Sequence, residues 1–128
     1  MEVINPKDVL PPQGGYSQGI KAGNLIFVAG QVGVDTNGKP TGDGGMAAQT
    51  RQTIANLAAV LRDAGAALTD VVSTTVFLKD FAEYALFDHT WRESFGPHRP
   101  ARATVKADLV HPALLIEIQA IAVQSVSG

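Results

Sequence analysis

The sequence predicts an α+β fold, a mixed sheet of about five to six strands with two helices packed on one face. Three observations predict it. Apolar residues recur at helical spacing near 46–61 and again near 84–95, and β-branched or alternating segments separate them. The resulting order is β-β-α-β-α-β-β, and two helices cannot cover both faces of such a sheet. The chain has 128 residues and no cysteine, so it reads as one domain over residues 1–128 without a disulfide scaffold.

Each element has its own cause. The first dozen residues end in Pro11-Pro12 and predict an extended arm. Gln13-Gly14-Gly15 is a turn, and Tyr16 to Ala22 predicts a short strand. Gly23-Asn24 turns into the buried run Leu25 to Ala29, closed by Gly30, so the first two strands form a hairpin. Pro40 to Gly45 is a connector. The first helix carries Met46, Thr50, Ile54, Leu57, Ala58 and Leu61 on one side, with Gly65 as its C-terminal glycine. Val71 to Leu78 is β-branched and aromatic and predicts a strand. Asp80 is placed to cap the second helix, whose stripe is Tyr84, Phe87, Trp91 and Phe95. Ala101 to Leu109 alternates strictly, with Arg102, Thr104, Lys106 and Asp108 on its polar side. Leu114 to Val123 is the last strand. Glu117 and Gln119 share a face there with Leu115, Ile121 and Val123. That mixture is too apolar for open water and too polar for a core, and it suits an interface between subunits.

Composition narrows the function classes. Only 17% of residues are charged, against about 25% in an average soluble domain, and the net charge is -2. A small domain this poor in charge is expected to keep part of its surface from water. The slightly acidic balance and the lack of a basic stripe make nucleic acid an unlikely partner. Apolar runs fall short of a membrane span, and the first residues lack the pattern of a signal peptide. A cytoplasmic location is expected. His89, His98 and His111 lack metal-ligand spacing, so no metal is expected. Walker A, G-x-G-x-x-G and G-x-S-x-G patterns are absent.

Few residues remain to carry chemistry. Arg102 has the planar fork that binds a carboxylate, or else it is a solvated strand arginine or the structural partner of Glu117. Glu117 is flanked by Leu115, Ile116 and Ile118, and must either find a partner or titrate high, which suits a general base. Tyr16 follows Gly14-Gly15 and leans over a ligand or packs at an edge. Gly30-Gln31 ends a buried strand and either lets a ligand approach the backbone or simply turns. Read from the residues alone, the chain is a small α+β oligomer with an arginine and a glutamate near an interface.

Several segments carry a resemblance. They are Gly15-Tyr16-Ser17-Gln18, Gly23 to Gln31, Gln49 to Gln52, Asn56-Leu57, Asp70 to Val72, Thr74 to Asp80, Pro100-Ala101-Arg102-Ala103 and Ile116 to Ala122. Together they resemble the RidA/YjgF (Rid, L-PSP) family over nearly the whole chain. The resemblance implies a chorismate-mutase-like fold and a homotrimer with a central barrel and active sites in the clefts between subunits. It implies cofactor-free hydrolysis of 2-imino or enamine acids to 2-oxo acids and ammonia, as in 2-iminobutanoate/2-iminopropanoate deaminases. By the same resemblance Arg102 clamps the substrate carboxylate and Glu117 positions or activates water. Tyr16, Gly30 and the backbone of Thr104 border the ligand. Three positions depart from the family pattern. Ala29, at a pocket position, replaces a common serine and removes its hydroxyl; Asp88, also beside the substrate by the resemblance, stands where asparagine is frequent and adds negative charge there; and Gly15 replaces a proline. Ala29 leaves room for a larger amino-enamine acid of the 2-aminomuconate type, which is a second reading. A non-enzymatic carboxylate-binding or chaperone-like trimer is a third. A ribonuclease ranks last, for want of paired histidines and a basic groove.

Overall fold

Six strands and two helices follow one another as β1 (Glu2–Ile4), β2 (Gly19–Ala22), β3 (Leu25–Val32), α1 (Met46–Asp63), β4 (Val71–Leu78), α2 (Tyr84–Phe95), β5 (Ala101–Lys106) and β6 (Ile116–Val123). The structure is a computed structural model and describes residues 1–124. The strands form one mixed sheet in the order β1-β2-β3-β6-β4-β5. All neighbours are antiparallel except β4 and β5, which α2 joins as a parallel crossover.

The core lies between the helices and one face of the sheet. Ile26 and Val28 of β3, Val76 and Leu78 of β4, and Ile116, Ile118, Ala120 and Ala122 of β6 are buried there. They meet Ile54, Leu57 and Leu61 of α1 and Phe87, Trp91 and Phe95 of α2. Helix α1 stops where expected. Gly65 takes a φ of +84°, and the Ala66 N–H bonds back to the Leu61 carbonyl.

The opposite face of the sheet stays uncovered within the chain. Leu25, Phe27, Val72 and Val105 are exposed there although apolar, beside half-buried Phe77, Ile121 and Val123. This is the mixed face on which the sequence puts Glu117 and Gln119.

Six expectations need correction. Strand β3 does not close at Gly30 but runs on through a bulge to Val32. Strand β6 begins at Ile116, two residues after the expected Leu114. The N-terminal arm holds strand β1, because Val3 pairs with Ile20. The strand expected from Tyr16 begins only at Gly19, and Tyr16 lies in the turn before it. Asp80 does not cap α2. Its carboxylate accepts the Ala82 N–H two residues on, and the helix starts after Glu83 with no side-chain cap. Strand β5 ends at Lys106, since the Ala107 N–H still reaches Leu78 but residues 107–115 then leave the sheet as a loop.

Candidate active site

Glu117 sits on the uncovered face of β6, opposite Val32 and Phe77. It is half-buried, and its side chain makes no hydrogen bond or ion pair with any described residue. Burial alone pushes its carboxyl above the usual carboxylate range. The carboxylate lies against Gly30, where β3 bulges between Val28 and Gln31. A Cβ on Gly30 would come within 2.4 Å of Glu117 Oε2. Glycine is therefore needed for contact with a carboxylate, since Gly30 has no positive φ to accommodate.

Glu117, Gly30 and Tyr16 share the wall of a cavity of about 540 Å³ with Gln31, Asn56 and His111. The sequence reading missed how this wall is held. Buried Gln31 donates to Gln18 Oε1 at 2.8 Å and to the Ala29 carbonyl, and Gln18 donates to the Leu10 carbonyl, so the arm is tied to β3. Asn56 Nδ2 donates to the Val32 and Val34 carbonyls. Fully buried Gln49 accepts the Leu115 N–H and donates to the Ala113 carbonyl, which pins the chain just before Glu117. Only a buried amide flanked by apolar helix positions could have signalled Gln49 in advance. Tyr16 is about half exposed, with its hydroxyl accepting the Gln13 N–H.

Gly30→Ala separates positioning from folding. The clashing atoms are the far end of a flexible side chain, so the variant is expected to fold with nearly unchanged Tm. Its activity should nonetheless fall by about tenfold or more, because Glu117 must swing away. Thermal melting and imine hydrolysis measured on one preparation check this.

Arg102 is elsewhere. It pairs with Thr74 on β4, so it projects from the helix-covered face, while Glu117 projects from the other. No Arg102–Glu117 ion pair forms. The polar side of the alternating strand is thus the one that α2 covers. Arg102 Nη1 donates to Asp88 Oδ1 at 2.9 Å and Nη2 donates to the Tyr84 hydroxyl at 2.6 Å. Its guanidinium carbon lies 5.0 Å from the Trp91 ring centre and 5.1 Å from that of Phe87. Residues 84, 87, 88 and 91 form one face of α2 and cradle it. A cavity of about 190 Å³ opens there, lined by Asp88, Trp91, Arg92, Arg99, Pro100 and Arg102. It shares no residue with the Glu117 cavity.

Of the other expected ligand-bordering residues, Asp88 lies beside Arg102 and not beside Glu117. Its second oxygen accepts from Arg92 Nε at 2.9 Å. The Arg92 bond and then the Arg102 bond hold its carboxyl below the usual range, against partial burial. Ala29 and Thr104 line neither cavity, so the chain alone gives no support to Ala29 as a source of extra ligand room. Among the described residues, no three His, Asp or Glu side chains are grouped to hold a metal ion, and no helix is long and apolar enough to cross a membrane.

The sequence profile of the endoribonuclease L-PSP family matches residues 7–124. The chain belongs to the L-PSP family. It is 37% identical to the 3-aminoacrylate deaminase RutC of Acinetobacter baylyi over 94% of this chain and 96% of that protein. It is 36% identical to the 2-iminobutanoate/2-iminopropanoate deaminase of Rattus norvegicus, over 96% of this chain and 90% of that one. Among solved structures, the YjgF gene product of E. coli superposes with a TM-score of 0.89 at 35% identity, over 98% of this chain and 100% of that one. The sheet and paired helices described above are therefore the L-PSP fold, and relatives of this chain in the L-PSP family are named as deaminases of imine or enamine acids.

Proposed function

We propose that the chain is a hydrolytic deaminase of small 2-imino or enamine acids, working as a homotrimer with each active site between two subunits. The observation that carries the reading is Glu117, an unpartnered, half-buried carboxylate on the wall of a cavity, titrating high because of burial. Such a group is a stronger base than an ordinary carboxylate and is suited to taking a proton from water. The uncovered apolar face supports self-association, since exposed Leu25, Phe27 and Val105 would leave water in an interface. The separation of Arg102 from Glu117 supports a site shared by two chains, because the carboxylate clamp and the base lie on opposite faces of one sheet.

The chemistry balances without a further reagent. An enamine acid first takes a proton at carbon to give the imine. Arg102 holds the substrate carboxylate and limits its orientations. Glu117 accepts a proton from water as the oxygen adds to the imine carbon, and the imine nitrogen is protonated. The resulting carbinolamine transfers its hydroxyl proton, the C–N bond breaks, and a 2-oxo acid and ammonia leave. The imine also hydrolyses unaided in water, so a modest acceleration suffices.

A serine or threonine dehydratase that releases the imine in situ supplies the assay. Added protein is expected to speed 2-oxo acid formation in proportion to its concentration. A panel containing 2-iminopropanoate, 2-iminobutanoate and 3-aminoacrylate identifies the preferred chain length. An unchanged rate across the panel would sink the enzymatic reading and leave a carboxylate-binding trimer.

A further inference from the structure

The cradle around Arg102 is a charge network in its own right. One carboxylate, Asp88, lies between two guanidiniums. Its Oδ1 accepts from Arg102 and its Oδ2 from Arg92, each at 2.9 Å. Two guanidiniums share this one carboxylate and Arg99 lines the same cavity, so positive charge is in excess. Arg102 has the side chain least exposed of the two, 18% against 62% for Arg92. Tyr84 and the Trp91 and Phe87 rings hold its remaining sides, so it has little freedom to turn away.

We propose that Asp88 and Arg92 together set the carboxylate affinity of Arg102. Asp88 positions the guanidinium and offsets its charge, and Arg92 limits that offset by sharing the Asp88 carboxylate. This rests on the reading of Arg102 as the substrate-carboxylate clamp. In this proposal Asp88 and Arg92 act as positioning residues, through Arg102. An arriving carboxylate meets a guanidinium that already has an anionic partner, so the two anions compete for one cation. Arg92 draws Asp88 toward itself and leaves Arg102 more positive.

The consequence is a pair of opposite shifts. Asp88→Asn keeps an oxygen to accept from Arg102 and removes the negative charge of the network, so the cluster binds carboxylates more tightly. Arg92→Gln leaves Asp88 wholly to Arg102 and removes one positive charge, so the cluster binds more weakly. Each shift is expected to be about three- to tenfold, and to shrink as salt rises. Asp88→Ala loses the tether as well, so its kcat should fall below that of Asp88→Asn.

Calorimetric titration of the intact protein with pyruvate, an unreactive 2-oxo acid, tests the proposal. The expected order of affinity is Asp88→Asn, then wild type, then Arg92→Gln, with Arg102→Ala showing no binding. If Arg102→Ala abolishes binding while Asp88→Asn and Arg92→Gln both stay within twofold of wild type, the charge-sharing proposal is overturned and the clamp reading survives. If Arg102→Ala binds pyruvate like wild type, or wild type binds none at millimolar concentration, both are overturned.

Discussion

Arg102→Ala is expected to lower kcat/KM for imine hydrolysis by about 10²- to 10³-fold, the scale of truncating one partner of a buried charge-assisted pair. The loss should appear mainly as a failure to hold the substrate carboxylate. Oligomer size should be unaffected, because Arg102 lies under α2 and not on the uncovered face. Folding should also tolerate the change. Asp88 keeps Arg92 as a partner, so no carboxylate is orphaned. Arg102→Lys is expected to recover only part of the activity, since a single ammonium cannot reproduce the planar fork held between Asp88 and Tyr84. Steady-state kinetics and light scattering on the same samples check all three statements.

Glu117→Gln should separate activity from stability in the opposite sense. Loss of the general base is expected to cost about 10²- to 10⁴-fold in kcat. Stability is expected to rise at neutral pH. Burial raises the Glu117 pKa in the folded chain above its ordinary 4.5, so between those two values the folded chain binds more protons than the unfolded one. Its stability therefore falls as pH rises through that window and stays lower above it. Glutamine carries no charge to bury and avoids that loss. Melting curves should place the variant above wild type at pH 7. The gap should close below pH 4.5, where glutamate is protonated in both states. A variant less stable than wild type at pH 7 would mean that the carboxylate is stabilised by its surroundings.

How much of this was legible in the sequence depended on range. Strand β4 and helix α1 appear with the boundaries that β-branching, periodicity and Gly65 predict, because those signals are local. Strand β1 was hidden, because its three residues become a strand only by pairing with Ile20 and its neighbours far along the chain. Asp80 misled, since an aspartate before a helix satisfies a local turn as readily as a helix end. Alternation in β5 correctly separated Arg102 from Ala101 and Ala103, but alternation does not say which side is covered. Hence the arginine and the glutamate looked like companions, though they project from opposite faces. Tyr84, Asp88 and Trp91 were visible as one side of a helix. That this side receives Arg102 follows only from the parallel crossover. Glu117 was legible as an acid without a neighbour, and it remains one in the fold. The reaction itself came from the family resemblance, not from periodicity or composition.

The proposed function requires Arg102 of one subunit and Glu117 of another to complete each site. Co-refolded mixtures of the inactive Arg102→Ala and Glu117→Gln chains test it most directly. In a cyclic trimer with sites built across subunits, random mixing at equal ratio pairs an intact arginine with an intact glutamate in about a quarter of the sites. Imine hydrolysis is expected to return to about that fraction of wild type, from two preparations each inactive alone. Mixed trimers that form and remain inactive would contradict it.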